Sequence, residues 1–500
     1  MNVLVKPHCF SGTVNIPASK SHTIRRLLIA ALADGRSRLL RPLDSLDTRS
    51  CASVCALLGA GFSETPGEDA CWDIDGIGSG ASIKAPAAPL DVGNSGTTLF
   101  LAIAIAALSK NNISFTGDKQ IETRSAAPLL NALSGLGVNV ESRNGCVPIT
   151  VKGPVCGGRV SLECVTSQYL SALLLAAPLA EEGSVIEIDV PLLNERPYIE
   201  MTLSYLKRQN IKYKTNAGFS YFRIEGGAKY KPICGEVTGD FSSAAFPALA
   251  AALSGGKLCL TNLDPQDNQG DKLFFEILKQ SGCKVEWLRS GNTWRLEIER
   301  SGALKAFSCD LNATPDMLPA CAVLGAFSHG RTKLYNAAHA RLKETDRIAV
   351  MAAELKKLGV NCVELPDGLE IDGMGASAFD SAASDQAAAF DGGQSAGAAQ
   401  AATGAAQAVS AAQAAAGAAQ AAASAAQTAA VSGGIAGVGG SAAGAANSGA
   451  ALRLNGYDDH RVVMALACAG IALPGGVLVS GAEAASVTYP GFLELIGKIC

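Results

Sequence analysis

A unit of roughly 75 residues recurs along the chain, and this period constrains the fold more than any other feature of the sequence. In each unit an apolar, helix-like stretch runs into a Gly or an Asn, and a short alternating stretch follows. Gly and Asn tolerate the left-handed backbone that ends many helices, and alternation of apolar and polar residues is typical of a strand. The predicted helix ends are Gly59, Gly137, Asn210, Gly282, Gly359 and Gly497.

The spacing of these six helix ends predicts the domain organisation. Successive ends are 78, 73, 72, 77 and 138 residues apart, and each of the first five is followed by a second strand-like stretch. A period of this length indicates repeated supersecondary units and argues against one doubly wound sheet. Because 500 residues exceed what one hydrophobic core usually organises, we predict six α/β units arranged as two domains of three.

The last spacing is longer than one unit because a low-complexity tract interrupts it. Residues 392–452 contain no charged residue, and the pattern [GS]-A-A-Q recurs five times there. Ala and Gln favour helix, but repeated Gly and the scarcity of large apolar side chains leave little to pack into a core. We predict an Ala/Gly/Gln/Ser insertion at residues 377–451 that is disordered or frayed helix. A solvent-exposed helical excursion and a self-association tract are the alternatives.

Composition limits the classes of partner. The net charge of −4 and the isoelectric point near 5.8 give no overall basic field, so we expect neither nucleic acid nor an anionic membrane as a partner. The fifteen cysteines are scattered without a C-x-x-C pair, which disfavours a disulfide scaffold. The N-terminal stretch lacks a signal-peptide pattern, and the apolar run at residues 99–108 is too short to cross a bilayer. We therefore expect a reduced, soluble, cytoplasmic protein.

The first helix start carries cations where a helix disfavours them. Lys20 lies between Ser19 and Ser21, and Arg25 and Arg26 follow in the first turns of an apolar helix. The helix macrodipole opposes cations at this end unless an anion lies between them and the exposed N–H groups. The segment therefore points to a phosphate or carboxylate ligand. The alternative is a Ser cap with solvated arginines.

Three further helix starts are rich in small polar side chains. They lie at residues 94–98, 166–168 and 240–243. Each one alone fits an ordinary N-cap, and the first lacks the spacing of a nucleotide P-loop. Four such starts in a repeat protein, together with Lys20 and Arg124, suggest helix ends that converge on anionic ligand groups.

Ionisable residues crowd at three later helix starts. Asp316 begins one helix, five of the seven residues in 341–347 are charged, and residues 458–461 read "DDHR". Asp316 also fits an acidic residue favoured by the helix dipole, and His460 also fits a satisfied core histidine. The five histidines show no metal-ligand spacing, and no G-x-S-x-G elbow occurs. Metal-dependent and covalent mechanisms are therefore disfavoured.

Ten motifs follow one another in order along the chain. They are "SKSHTIRR", "GNSGTT", "ETRSAAPLLNAL", "TSQYLSALLLAAPL", "RPYIEMTL", "GDFSSAAFPALAAAL", "DNQGD", "TPDMLPACAVLGAF", "RLKETDRIAVMAAELKKLG" and "YDDHRVVMALACAG". Together they resemble the enolpyruvyl-shikimate-phosphate synthase family of enolpyruvyl transferases. The resemblance covers nearly the whole chain except about residues 377–451, and the pair "LKETDR" and "DDHR" is highly specific.

The resemblance implies a fold as well as an activity. The expected architecture is a two-domain inside-out α/β barrel with three βαβαββ-type repeats per domain, six in all, and an active site in the cleft between the domains. One domain is inserted into the other in this family. Residues 1–18 and 241–500 would then form the first domain, residues 19–240 would form the second, and the insertion at residues 377–451 would belong to the first.

The implied activity is transfer of the enolpyruvyl group of phosphoenolpyruvate to the 5-hydroxyl of shikimate 3-phosphate, with release of phosphate, in aromatic amino acid biosynthesis. Both substrates are polyanions, which accounts for local cations in an acidic protein. The positions that match the phosphoenolpyruvate contacts are Lys20, Asn94, Gly96, Arg124, Arg347, His460 and Arg461. The positions that match the shikimate 3-phosphate contacts are Ser21, Arg25, Thr166, Ser167, Gln168, Tyr198, Asp316 and Lys343.

The resemblance also implies three catalytic residues. Glu344 matches the acid and base that serves the methylene carbon, Asp316 matches the carboxylate that faces the attacking hydroxyl, and Lys20 assists. Two carboxylates among cations can take opposite protonation roles if their environments differ. The resemblance implies no metal and no organic cofactor, and we expect a monomer.

The chain departs from the family pattern at a few positions. Phe100 and Val487 stand where many members have Arg and Lys, and Thr166 replaces a Ser. The two missing cations put phosphoenolpyruvate affinity in question. A sister transferase that uses a UDP-amino sugar is one alternative, although residues 108–125 lack its reactive Cys. A non-catalytic ligand-binding homologue is the other.

Overall fold

The structure, a computed structural model, describes residues 1–67, 70–291, 293–375 and 451–498. These residues belong to one compact unit of the chain, Met1–Asp380 with Ala450–Cys500. The low-complexity insertion predicted at residues 377–451 lies outside the described residues, apart from its final Ala451. None of the helices in the described part is long and apolar enough to span a membrane.

The helices begin and end largely where the sequence predicts. They are α1 (Lys20–Leu32), α2 (Leu46–Leu57), α3 (Gly96–Ala106), α4 (Ala127–Gly135), α5 (Ser167–Ala176), α6 (Arg196–Arg208), α7 (Phe241–Ser254), α8 (Leu273–Gln280), α9 (Leu318–Ala326), α10 (Arg347–Lys357), α11 (His460–Ala472) and α12 (Phe492–Lys498). The first five predicted helix ends all have the positive φ of a left-handed cap: Gly59 (118°), Gly137 (85°), Asn210 (58°), Gly282 (97°) and Gly359 (80°).

The sixth predicted helix end is wrong. Gly497 lies inside α12 and is not a cap. The reason is that the last repeat differs from the others: its sheet is completed by a strand from the start of the chain, so no hairpin has to follow the helix among the described residues.

Five sheets share one topology, in which a parallel pair of strands is extended by an antiparallel hairpin. The strands are β1 (Asn2–Val5), β2 (Gly12–Asn15), β3 (Arg36–Leu40), β4 (Gly61–Thr65), β5 (Cys71–Asp75), β6 (Leu90–Asp91), β7 (Ile113–Thr116), β8 (Asn139–Arg143), β9 (Cys146–Lys152), β10 (Gly158–Ser161), β11 (Val185–Asp189), β12 (Tyr213–Thr215), β13 (Tyr221–Glu225), β14 (Cys234–Glu236), β15 (Lys257–Thr261), β16 (Cys283–Ser290), β17 (Thr293–Arg300), β18 (Ser308–Asp310), β19 (His329–Tyr335), β20 (Asn361–Leu365), β21 (Gly368–Met374), β22 (Leu452–Asn455) and β23 (Val477–Ser480). The five orders are β14-β3-β5-β4, β6-β7-β9-β8, β10-β11-β13-β12, β2-β15-β17-β16 and β18-β19-β21-β20, and the sixth sheet is β1-β23-β22.

Three of these sheets come from contiguous βαβαββ repeats, whereas two exchange their first strands. Strand β2 pairs in parallel with β15, and β14 pairs in parallel with β3. One half of the fold is built around helices α1–α6 and the other around helices α7–α12. The chain therefore passes between these two halves twice, and the two crossings meet at an isolated bridge between Ala18 and Gly239. As a result the starts of α1 and α7 lie side by side, and Asp240 accepts a 3.1 Å hydrogen bond from the backbone N–H of Lys20.

Two large hydrophobic cores hold the described residues together. The first contains residues between Ile24 and Tyr230, and the second contains residues between Val5 and Ile16 and between Phe241 and Ile496. Several helices are buried almost all round, with the sheets outside them: α3, α5, α7, α9 and α11. The sequence of a helix that is buried on all sides is apolar on every face, and α3 accordingly has no polar stripe. The cores fall within the predicted domain ranges, whose boundaries stay a prediction.

Candidate active site

A cavity of about 410 Å³ lies where helix starts from both halves of the fold meet. Fifteen of the sixteen predicted site residues line it: Lys20, Ser21, Arg25, Gly96, Arg124, Thr166, Ser167, Gln168, Tyr198, Asp316, Lys343, Glu344, Arg347, His460 and Arg461. Asn94 is the exception, because its side-chain amide donates to Gln120 Oε1 beside the cavity. The structure thus brings the predicted polar helix starts together at one cavity.

Arg347, the first residue of α10, joins three carboxylates. Its Nε donates to Asp459 Oδ2 at 2.8 Å and its Nη1 donates to Asp316 Oδ1 at 2.7 Å. Its Nη2 donates to Glu344 Oε2 at 2.5 Å. The residue is completely buried, so burial lowers its pKa, but the three carboxylates raise that pKa above the ordinary value. Arg347 therefore stays charged and fixes where Asp316 and Glu344 lie.

Glu344 bridges Arg347 and a cation from the other half of the fold. Its Oε1 lies 2.8 Å from Arg124 Nη2. Burial raises the pKa of Glu344, but Arg124 and Arg347 outweigh burial and hold the pKa well below its ordinary value. Arg124 reaches this position across Gly96, where an added Cβ would lie 2.2 Å from Arg124 Nη1. The glycine at the start of α3 thus gives the guanidinium room.

Asp316 lies between three cations. It accepts from Arg347 and from Arg461 Nη2, at 2.9 Å, and Lys343 Nζ is 3.9 Å away. Burial raises the pKa of Asp316, but Arg461, Lys343 and Arg347 lower it far below its ordinary value. Nε and Nη1 of Arg461 are buried and have no hydrogen-bond partner among the described residues. They are available to an anionic ligand.

Lys20, a cation, and His460, a neutral imidazole, complete this side of the cavity. Lys20 Nζ donates to Asp47 at 2.9 Å. His460 begins α11 and is buried, and burial together with Lys20 and Arg461 lowers its pKa well below the ordinary value. Its imidazole is therefore neutral, and its Nε2 has no partner among the described residues. It can act as a hydrogen-bond donor or acceptor to a ligand, but not as a cation.

Arg25 is held from every side on the opposite wall. Its Nε donates to Thr202 at 2.9 Å, and its Nη2 donates to Ser171 at 3.2 Å. Its Nη1 donates to the backbone oxygen of Ser21 at 3.2 Å. These partners are neutral, so burial lowers the pKa of Arg25 to about 10, and the guanidinium remains a cation without a carboxylate partner at neutral pH.

The start of α5 and the residue before α6 form a second charged cluster. Thr166 and Ser167 donate to the carboxylate of Glu195, and Lys343 reaches the same carboxylate from the other half of the fold. Nearby, Gln168 donates to Thr97 Oγ1 at 2.8 Å. The four predicted residues are thus brought together, around an acidic residue that was not predicted.

Tyr198 is oriented by a carboxyl group across the cavity. Its hydroxyl lies 3.0 Å from Asp271 Oδ2, and Asp271 Oδ1 is buried without a partner among the described residues. Burial and the nearby charge of Asp316 raise the pKa of Asp271 to about 7. Asp271 is therefore partly protonated at neutral pH.

The two departures from the family pattern lie in different places. Phe100 lines the cavity and packs edge-on against Tyr169, with ring centroids 5.1 Å apart. Val487 ends a short 3₁₀ helix, Ala482–Val487, and does not line the cavity. Phe100 thus gives this wall an apolar surface.

The cavity has nearly balanced charge. Seven Lys or Arg side chains and six Asp or Glu side chains line it. Within the described residues, Glu344, Asp459 and His460 group closely enough to hold a metal ion, with ligand atoms within 4.8 Å. Arg347 already binds both carboxylates, so a divalent cation would have to displace a buried guanidinium.

Sequence reasoning missed four carboxylates that hold predicted site residues. They are Asp47, Glu195, Asp271 and Asp459. Asp459 stood out only as part of "DDHR", where the structure makes it the cap of α11. Asp271 ends the motif "DNQGD" but received no role there, and Asp47 and Glu195 carry no local signal because their partners lie elsewhere in the sequence.

The chain is similar to known proteins over most of its length. The family model described as EPSP synthase (3-phosphoshikimate 1-carboxyvinyltransferase) matches residues 5–389 and 438–496. A 3-phosphoshikimate 1-carboxyvinyltransferase from Acetivibrio thermocellus is 38% identical over 490 residues, which cover 98% of this chain and 96% of the relative. One from Methanothrix thermoacetophila is 44% identical over 378 residues, which cover 75% of this chain and 86% of the relative.

A solved structure shows the same fold. The EPSP synthase of Acinetobacter baumannii superposes with a TM-score of 0.70 and 23% identity, covering 100% of this chain and 98% of that chain. The predicted two-domain α/β architecture is thereby confirmed. Because the family model matches most of the sequence and curated relatives exceed 30% identity over almost its full length, the chain belongs to the EPSP synthase family.

Proposed function

We propose that the protein transfers the enolpyruvyl group of phosphoenolpyruvate to the 5-hydroxyl of shikimate 3-phosphate and releases phosphate. One observation carries this function: Asp316 and Glu344 are held by the same buried guanidinium, that of Arg347, inside a cavity rich in cations. A proton has to reach one substrate and leave the other in the same step, and two fixed carboxyl groups can do both.

The cations on one side of the cavity suit phosphoenolpyruvate. Lys20, Arg124, Arg347 and Arg461 surround Glu344 and Asp316, and Arg461 has two unpartnered donor nitrogens. Charge-assisted hydrogen bonds from such groups favour a phosphate and a carboxylate. The neutral His460 and the backbone at Gly96 add hydrogen-bonding groups, with Asn94 behind them.

The other wall suits shikimate 3-phosphate. Its residues are Ser21, Arg25, Thr166, Ser167, Gln168, Tyr198 and Lys343. Thr166 caps α5 and Ser167 begins it, and the N–H groups at a helix start favour an anion. Lys343 adds a cation from the other half of the fold. Asp316 lies 3.9 Å from Lys343 Nζ, so a hydroxyl bound between the two walls can face its carboxylate.

The reaction then proceeds by addition and elimination. Protonated Glu344 gives its proton to the methylene carbon of phosphoenolpyruvate, while the acceptor oxygen forms a bond to the adjacent carbon and Asp316 takes the hydroxyl proton. In the second step Glu344 removes a proton from the new methyl group, and the C–O bond to phosphate breaks. The proton on Asp316 goes to the departing phosphate. Lys20 and Arg124 stabilise the charge that moves to the phosphate oxygens.

Glu344 must gain a proton before it can act as an acid. Its pKa is held low by Arg124 and Arg347, the cations that bind phosphoenolpyruvate in this proposal. The anionic groups of the substrate compensate these cations, so substrate binding raises the pKa of Glu344 toward the working range. Asp316 keeps Arg461 and Lys343 and remains the base.

Phosphate release from phosphoenolpyruvate tests this function. The assay is run with shikimate 3-phosphate, with a UDP-amino sugar, and with neither. We expect release only with shikimate 3-phosphate, together with an enolpyruvyl ether product. Release that requires the UDP-amino sugar would identify the sister activity. Absence of release with both acceptors would favour the non-catalytic homologue.

Cellular context and assembly complete the proposal. We propose a cytoplasmic monomer that acts in aromatic amino acid biosynthesis without a metal or organic cofactor. The two domains are residues 1–18 with 241–500, and residues 19–240. The cavity is lined by residues from both ranges of this one chain, which supports a monomeric unit. Sedimentation of the purified protein at micromolar concentration measures the assembly state directly.

A further inference from the structure

Glu195 is a buried acidic residue for which the reaction above has no role. It directly precedes α6, is only 2% exposed, and lines the cavity. Its backbone has the left-handed φ of 57°, which is uncommon for a residue with a long side chain. Its backbone N–H donates to the carbonyl oxygen of Asn312 in the other half of the fold, so the position is fixed.

The carboxylate of Glu195 is held by four donors that form an anion-binding set. Oε2 accepts from Thr166 Oγ1 at 3.0 Å, from the Ser167 backbone N–H at 2.9 Å, and from Ser167 Oγ at 2.7 Å. Oε1 accepts from Lys343 Nζ. A helix N-terminal N–H, two hydroxyls and an ammonium are the groups that proteins use to bind phosphate.

These donors are also acceptor contacts in the proposed function. Each hydroxyl and the N–H group can donate only one hydrogen bond, so they cannot serve Glu195 and a substrate phosphate together. Burial raises the pKa of Glu195, but Lys343 outweighs burial and the pKa lies below its ordinary value. The side chain is therefore an anion at neutral pH and competes with another anion for the same groups.

We propose that Glu195 is a specificity-determining residue whose carboxylate occupies the binding groups of the acceptor's phosphate and has to be displaced by that phosphate. The inference rests on the proposed function. A phosphate group offers more oxygens and more charge than a carboxylate, so it can take over Thr166, Ser167 and Lys343. An acceptor without the phosphate has only a neutral hydroxyl at that position and cannot replace an anion opposite Lys343. Glu195 thus makes acceptor binding depend on the phosphate group and lowers the affinity for the phosphorylated acceptor.

Equilibrium binding to Glu195 variants tests the inference. Calorimetric titrations compare the wild-type protein, Glu195→Gln and Glu195→Ser, with shikimate 3-phosphate, shikimate and inorganic phosphate as ligands. Glu200→Gln, an exposed position on α6, is the matched control. We expect Glu195→Ser to bind shikimate 3-phosphate and inorganic phosphate at least tenfold more tightly, and shikimate within twofold of the wild type. Glu195→Gln preserves the side-chain volume, and we expect a smaller gain in the same direction.

The contrary results are distinct. Equal or weaker binding of both phosphorylated ligands by both variants would overturn the inference and would assign Glu195 to positioning Lys343. A third result is that the variants bind inorganic phosphate more tightly but that neither they nor the wild-type protein bind shikimate 3-phosphate. This result would contradict the proposed function and would still support competition between Glu195 and phosphate for the four donors.

Discussion

At the scale of single residues, the site is organised by internal ion pairs in which carboxylates occupy the cations that the substrate anions need. Asp316, Glu344 and Glu195 are carboxylates bound to cations that the proposed reaction needs for phosphate and carboxylate groups. Burying cations without partners is costly, and internal carboxylates reduce that cost. Substrate binding then becomes an exchange of anions at Glu344 and Glu195, while Asp316 keeps Arg461 and Lys343.

The first prediction concerns the carboxyl group of Glu344. Replacing it by Gln preserves the shape and the hydrogen bond from Arg347 but removes the proton donor and acceptor. We expect kcat to fall by roughly 100-fold or more, while the Kd of shikimate 3-phosphate changes less than threefold. Steady-state kinetics and calorimetry measure the two quantities. Glu276→Gln, at an exposed position on α8, is the control, and a Glu344→Gln enzyme with the control's kcat would remove Glu344 from the chemistry.

At the scale of secondary structure elements, helix starts deliver the functional groups. The starts of α1, α3, α5, α10 and α11 all line the cavity, because the repeated topology points the same end of each helix inward. The five caps with positive φ follow α2, α4, α6, α8 and α10, whereas the buried helices α3, α5 and α11 begin at the cavity. The short segments that begin these helices therefore also supply the residues of the site.

The second prediction concerns the start of α3. A Cβ at Gly96 would lie 2.2 Å from Arg124 Nη1, and the nearest obstacle is the end of a flexible side chain. Gly96→Ala therefore moves Arg124 away from Glu344 and changes the fold little. We expect the KM for phosphoenolpyruvate to rise at least tenfold, with a change in Tm of less than 3 °C, a shift equivalent to roughly 1 kcal/mol or less. Gly218→Ala is the control, because a Cβ there meets no atom within 4 Å. An unchanged KM would show that Arg124 does not need this space.

Sequence reasoning predicted the elements better than the contacts. Five of six caps were confirmed because the left-handed conformation of residues such as Gly59 and Asn210 is a local property. Gly497 failed because a strand from the other end of the chain completes the last sheet. Glu195 was missed for the same physical reason, since Lys343, its partner, lies 148 residues away. The pairing of cations and carboxylates is set by tertiary packing, which periodicity does not encode.

At the scale of the whole molecule, a buried pair joins the two hydrophobic cores beside the chain crossings. His22 in α1 contacts Tyr205 Oη at 2.6 Å and Asp267 Oδ2 at 3.1 Å. Burial lowers the pKa of His22, but Tyr205 and Asp267 raise it, and the result is a pKa of about 9. Asp267 belongs to the other half of the fold, and it also accepts from Thr238. The pair therefore links the halves near the bridge between Ala18 and Gly239.

The third prediction follows from this raised pKa. The unfolded chain loses the His22 proton near pH 6.5, whereas the folded protein retains it until about pH 9. The stabilisation is thus fully present below pH 6.5 and is lost as pH rises through 9. We expect the free energy of unfolding to fall by about 2 kcal/mol between pH 6.5 and 8.5 through this residue, measured by urea denaturation.

Two variants separate this contribution from the rest of the protein. His22→Gln removes the titrating group and should flatten the profile over this pH range. His8→Gln, at a half-buried position outside the contacts of His22, should keep the wild-type slope. Identical slopes for the wild type and His22→Gln would show that the pair does not stabilise the fold.

The fourth prediction concerns the low-complexity tract. The family match stops at residue 389 and resumes at residue 438, so the family's fold does not require the residues between. We expect deletion of residues 392–437 to leave kcat and KM within twofold of the wild type. Activity and thermal unfolding of the shortened chain measure this. Loss of solubility or activity would instead show that the tract packs or assembles.

The most direct test of the account is the fate of solvent deuterium during turnover. In the addition step Glu344 converts the methylene carbon of phosphoenolpyruvate into a methyl group, and in the elimination step it removes one of the three methyl hydrogens. A reaction in D₂O with both substrates therefore places deuterium on the vinyl carbon of the product. We predict this label in the wild-type product, detected by mass spectrometry, and a label formed at least 100-fold more slowly by Glu344→Gln. An unlabelled wild-type product, or undiminished labelling by Glu344→Gln, would contradict the central claim that Glu344 exchanges a proton with that carbon.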